Sequence, residues 1–202
     1  MRHSIFTKSL ALIGFVALLA CTPVFAKAKQ HGQTQNPGTL LQLAGLRAGY
    51  DTINDAERKY YAGMVVTGGH PRGARIWRIR QTDWYLRIDG FDYPNGDLKR
   101  SAVIDQISLD KTSFFTDINA PVIKLSVKKT SLFSAIRIGM NQANVLALLK
   151  SKGIVPKLSG NTLAWSQRGS ARVTQNITYH TWRTKLEFDK SKRLESISVS
   201  CD

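Results

Sequence analysis

Four histidines and two cysteines are the residues from which a nucleophile, a general base or a metal site would have to be built in this chain of 202 residues. Their spacing argues against all three. His3 falls in an apolar leader, His31 in a polar stretch, His70 in a glycine-rich loop and His180 in a strand-like run. No two of them stand at ligand spacing, so neither a metal nor a cofactor is expected. His180 with Cys201 is the one dyad that could be imagined. However, Thr181 and Trp182 suit a sheet surface, and Cys201 keeps phase with Ile197 and Val199, which predicts a buried apolar thiol. Phosphate loop, dinucleotide fingerprint and nucleophile elbow are absent from the sequence. The chain is therefore read as non-enzymatic, with an enzyme lacking any recognisable motif as an alternative.

The basic residues are more informative. Lys and Arg number 29 against 14 Asp and Glu, a formal charge of +15. One cluster is Arg72, Arg75, Arg78, Arg80 and Arg87 with Trp77, Trp84 and Tyr85; the other is Arg183, Lys185, Lys190, Lys192 and Arg193 with Tyr179 and Trp182. Cations interleaved with aromatics suit an anionic partner, either an envelope protein or an anionic lipid or polymer surface. Arg78, Arg80, Arg87, Tyr85, Arg183 and Lys185 are the candidate partner-binding residues. The competing reading makes the aromatics core and the charges a solvated sheet face, which alternation favours for Trp84 and Trp182. A leader for export argues against nucleic acid as the partner.

That leader is residues 1–26: basic at Arg2 and Lys8, apolar from Leu10 to Leu19, with Val24-Phe25-Ala26 as a small-residue cleavage pattern. Its apolar run is short for a membrane span. The mature chain is expected to start at Lys27, in the periplasm or secreted. Alternatively Leu18-Leu19-Ala20-Cys21 acts as a lipobox, and lipidation at Cys21 makes an outer-membrane lipoprotein. Removing Arg2 and Lys8, and no acid, lowers the formal charge from +15 to +13. Cleavage after Ala26 also leaves Cys201 without an intramolecular disulfide partner. Residues 27–38 contain Gln, Gly, Pro, Thr and Asn with almost no apolar residues, a flexible tether that buries too little to offset chain entropy.

Two bodies of elements follow, an α+β module over 39–128 and a second over 129–202. In the first, Leu40, Leu41, Leu43, Leu46, Ile53, Ala56 and Tyr60 give helical spacing interrupted at Gly45 and Gly49, either two helices or one with a break, Asp51 capping the second. After a glycine-rich loop the period becomes two. Trp77 and Ile79 face away from Arg78 and Arg80, while Trp84, Leu86 and Ile88 face away from Tyr85, Arg87 and Asp89. Pro94-Asn95-Gly96-Asp97 predicts a hairpin turn into a strand from Ser101 to Leu109, and Pro121 to Lys128 alternates again. In the second module Ile136 to Ile138 leads through Gly139 to a helix capped by Asn141. Val145, Leu148 and Leu149 form its buried face, and Gly153 stops it in the left-handed conformation. A β-rich run from Ile177 to Phe188 and an alternating strand from Leu194 to Cys201 close the chain.

The order Gly139-Met140, a Val-x-x-Leu-Leu helix at Val145 to Leu149 and a closing Phe188-Asp189 hairpin resembles the small lipoprotein family of the outer-membrane barrel-assembly machinery (SmpA/OmlA, BamE-like). Gly49 and Gly63 stand 90 positions before Gly139 and Gly153, and Phe91-Asp92 stands 97 before Phe188-Asp189. The chain is therefore read as two tandem helix-plus-antiparallel-sheet modules, similar in arrangement to the β-lactamase-inhibitor-protein fold. The resemblance implies a cell-envelope interaction or assembly module. The tandem arrangement also suits an exported proteinaceous enzyme inhibitor, for which Ser113-Phe114-Phe115-Thr116-Asp117 is the one apolar loop that could project.

Overall fold

The computed structural model describes residues 41–67, 72–91, 102–111, 119–126, 131–172 and 178–202, apart from the side chains of residues 67, 72, 73, 91 and 172. All of these fall in the compact unit spanning 33–202. The leader with Cys21, the tether, His31, His70, the turn at 94–97 and the loop at 113–117 lie outside the described residues.

The protein is α+β, mostly strand. Helix α1 is Ile53–Tyr60 and α2 is Gln142–Ser151. The strands are β1 Met64–Thr67, β2 Arg72–Ile79, β3 Tyr85–Phe91, β4 Ile104–Asp110, β5 Val122–Ile123, β6 Ser131–Leu132, β7 Ile136–Arg137, β8 Lys157–Ser159, β9 Thr162–Arg172, β10 Thr178–Phe188 and β11 Leu194–Cys201. Nine of them form one sheet in the order β1-β2-β3-β4-β11-β10-β9-β8, with β5 added beside β2. Two four-stranded antiparallel runs thus meet at β4 and β11, where Ser108 pairs with Ser198. The strands β6 and β7 make a separate small hairpin.

Local chemistry explains the helices. Thr52 caps α1: its Oγ1 accepts from the Asp55 N–H at 3.1 Å while the Asp55 carboxylate accepts from the Thr52 N–H at 2.8 Å. The expected cap, Asp51, instead accepts from the Arg47 N–H at 2.8 Å and from its guanidinium, so it braces the preceding turn. Upstream of α1 the apolar spacing does not produce a helix. Leu43 and Leu46 exchange backbone hydrogen bonds across Ala44 and Gly45, both at positive φ, which makes a tight turn. For α2 the cap is Asn141 as expected, its Oδ1 accepting from the Ala143 N–H at 2.9 Å. Gly153 at φ +69 ends it, with Gly153 N–H to Lys150 O and Ile154 N–H to Leu149 O closing the last turn.

The strands differ from expectation at several places. Among the described residues of the run from Pro121 to Lys128, Val122–Ile123 forms the strand, and it pairs with β2 in parallel, because the Arg78 and Arg80 backbone N–H groups donate to the Pro121 and Ile123 carbonyls beyond the end of β1. The strands β1 and β9 were not anticipated. The first is a four-residue edge strand inside a glycine-rich stretch, and the second pairs along almost all of β10.

Both helices lie on one face of the sheet and share its core. Ile53, Ala56 and Tyr60 of α1 and Val145 and Leu149 of α2 belong to the same buried cluster as Trp77, Leu86, Leu109, Ile197, Leu186 and Leu163. Those last six residues form a single row across β2, β3, β4, β11, β10 and β9. Trp182 ties the chain's beginning to its end, its indole donating to the Ala48 carbonyl at 2.8 Å and stacking on Tyr50. A Cβ at Gly49 would come within 3.2 Å of that indole, and φ there is +82, so glycine suits the position twice over.

Candidate partner-binding face

Side chains alternate across a pleated sheet, so the residues between the core rows form the opposite face. There the central row reads Met64, Ile76, Arg87, Ser108, Ser198, Lys185, Ala164 and Lys157. On one side of it runs Ala74, Asp89, Gln106, Ser200, Arg183 and Ser166; on the other Arg78, Tyr85, Asp110, Ser196, Glu187 and Thr162. Neither helix covers this face.

Five of the six candidate residues therefore share one surface: Arg78, Tyr85, Arg87, Arg183 and Lys185. Arg80 follows β2 in phase with Arg78 and is exposed. They are not equivalent. Arg78 and Arg80 form no ion pair among the described residues. Arg87 grips Asp89 with Nε at 2.9 Å and Nη2 at 2.6 Å, and that hydrogen bond, ahead of the charge itself, raises the guanidinium pKa although burial works against it. Asp89 is only 4% exposed, so Arg87 neutralises a carboxylate that water barely reaches. Lys185 pairs with Glu187 and Arg183 with Asp202, both at exposed positions. Tyr85 is 8% exposed and packs with Ile76 and Ala120 in a small second apolar cluster.

The expected aromatic studs are otherwise absent from this face among the described residues. Trp77 and Trp182 are buried in the core and Trp84 packs partly against it. Arg75 is likewise core-facing, its Nε 2.9 Å from Glu57 on α1, and the side chain of Arg72 lies outside the described residues. Of the second cluster, Lys190, Lys192 and Arg193 occupy the turn between β10 and β11, not the face itself. Cys201 is buried, its thiol donating to the Asp105 carbonyl, and burial pushes its pKa up, the opposite of what a nucleophile needs.

Arg87, Arg183 and Lys185 flank a groove of about 780 Å³ lined from β3, β4, β11, β10, β9 and β8 and from the α2–β8 connection. Its floor is hydroxyl: Ser108, Ser196, Ser198 and Ser200, with Gln106 and Ser166 beside them. Asp110 holds two of these, accepting from Ser108 Oγ and from Ser196 Oγ at 2.6 Å each. Lys157, exposed Val155 and the Arg87, Arg183 and Lys185 side chains complete the walls. The serines were overlooked in the sequence, although Ser196, Ser198 and Ser200 recur at every second residue and announce a hydroxyl face on one strand. Such a surface offers charge and hydrogen bonds to a ligand. No described helix is long and apolar enough to cross a membrane.

No family model, no curated protein and no solved structure matches the chain.

Proposed function

We propose that the chain is an exported, non-enzymatic cell-envelope protein that binds its partner through the helix-free sheet face, in the manner of a barrel-assembly accessory module. The observation that carries this reading is the collection of Arg87, Lys157, Arg183 and Lys185 in the walls of a groove that neither described helix covers, with Arg78 farther along the same face. In an exported chain of formal charge +13, from +15 less Arg2 and Lys8, that face steers an anionic envelope component by long-range attraction and holds it by short-range pairing.

The face also supports a tandem origin for the two halves. About the Ser108–Ser198 pair, Arg87 with Asp89 on β3 corresponds to Lys185 with Glu187 on β10, and Trp77 on β2 corresponds to Trp165 on β9. Each half contributes a helix to the covered side and a cation–carboxylate pair to the open one. Export is part of the same proposal, by cleavage before Lys27 or by anchoring through Cys21, and N-terminal sequencing with intact-mass analysis separates the two.

The test is capture of envelope proteins and lipids by the purified protein over a salt series, with mass spectrometry of what is retained. Binding at low salt that weakens steeply as salt rises supports the reading. Failure to retain any envelope component at low salt sinks it.

A further inference from the structure

We infer that the groove receives an acidic polypeptide segment, its carboxylates meeting Arg87 and Lys185 and its backbone N–H groups meeting the hydroxyls beside Asp110. This deepens the proposed function and rests on it. Three features of the groove select a polypeptide over a phosphate-bearing lipid surface.

The first is the direction of the hydrogen bonds. A carboxylate only accepts, so the Ser108 and Ser196 hydroxyl protons are both committed to Asp110 at 2.6 Å. What these two serines turn toward the groove is lone pairs, next to a negative charge. A lipid phosphate brings acceptors and negative charge alone, and is repelled there. A polypeptide carries N–H donors within one residue of its acidic side chains and satisfies both ends.

The second is spacing. Arg87 on β3 and Lys185 on β10 are three strand intervals apart, about 14 Å, with Ser108 and Ser198 between them. A projecting strand or loop fits between the two cations; a flat bilayer touches the rim and leaves the hydroxyl floor unpaired. The third is Val155 at the rim, 91% exposed, which offers an apolar contact to a side chain of the segment.

Nuclear magnetic resonance titration of the isotope-labelled protein tests the inference with three probes: a synthetic Glu-rich decapeptide, an oligouronate of equal charge, and phosphatidylglycerol vesicles. The decapeptide should shift resonances of Ser198, Ser200 and Lys185 at low salt. Lys185→Ala should weaken it about threefold to fivefold. Ser198→Tyr, which fills the floor without removing a charge, should abolish the groove shifts. Both positions are on the open face, so both variants should fold. The inference is overturned if the decapeptide shifts no groove residue, or if the oligouronate or vesicles shift those residues more strongly than it does. Should envelope extract be retained as well by Ser198→Tyr as by the wild type, the groove assignment falls while the broader binding reading stands.

Discussion

The two faces of this sheet are written on the same strands in alternate residues, yet they are held by different physics. On the covered face the row Trp77, Leu86, Leu109, Ile197, Leu186 and Leu163 has no measurable exposure, and each side chain is worth about 1.5–3 kcal/mol in burial. One residue away, the row through Arg87, Ser108, Ser198 and Lys185 buries little apolar surface and settles its charges in pairs. What the contrast teaches is that alternation alone divides a chain into a part that must pack and a part that is free to recognise. The open face still has a structural minority: Arg87 with Asp89, and Tyr85 with Ile76.

That division is broken most forcefully from the core side. Leu149→Ala, beneath α2, and Leu186→Ala, on β10, should each cost about 2–5 kcal/mol in chemical denaturation. Ser198→Ala on the reverse of the same sheet should stay within about 0.5 kcal/mol. Equal effects at Leu186 and Ser198 would mean that the two faces are not distinct.

Arg87→Ala comes next, at about 1–3 kcal/mol, because it strands the carboxylate of Asp89 in a site with almost no water. Arg87→Ala with Asp89→Asn should recover much of that loss, and a double variant no more stable than the single one would show that the pair is not what holds β3.

Thr52→Ala should cost about 1 kcal/mol through the α1 cap. It should also flatten the acid limb of the stability profile. Hydrogen bonds from Thr52 hold the Asp55 carboxyl down to about 2 from an ordinary 3.8, so its contribution is complete above roughly pH 4 and fades as pH falls toward 2. At the other end of the scale burial pushes Tyr60 up to about 12, its hydroxyl donating to the Ala44 carbonyl. The neutral phenol is the form the fold favours, so stability should decline as pH rises from 10 to 12, and Tyr60→Phe should remove that decline. Smallest of all is Arg78→Ala with Arg80→Ala, which should leave the melting temperature nearly unchanged.

Much of this was legible in the sequence. Gln142–Ser151 lies between Asn141 and Gly153 because cap and stop chemistry act within a few residues, and β11 runs from Leu194 to Cys201 as its alternation requires. The candidate cations share a face because a period of two puts them there. What escaped depended on contacts far along the chain. The spacing of Leu41, Leu43 and Leu46 is helical, but positive φ at Ala44 and Gly45 and the packing of Ala48 against Trp182 bend the chain into turns. Arg75 reads as one more surface cation until Glu57 on α1 arrives to meet it. The groove is invisible from any single strand, since β4 and β11 become neighbours only when the two halves join.

The claim that the helix-free face binds an anionic envelope partner is tested most directly by retention of envelope extract across a salt series, comparing wild type with Arg78→Ala, Arg80→Ala, Lys185→Ala. Arg87 is left in place so that the fold is not at issue. The variant should melt like the wild type, bind several-fold more weakly at low salt, and show a shallower dependence on salt. Retention equal to that of the wild type at every salt concentration would contradict the assignment of this face.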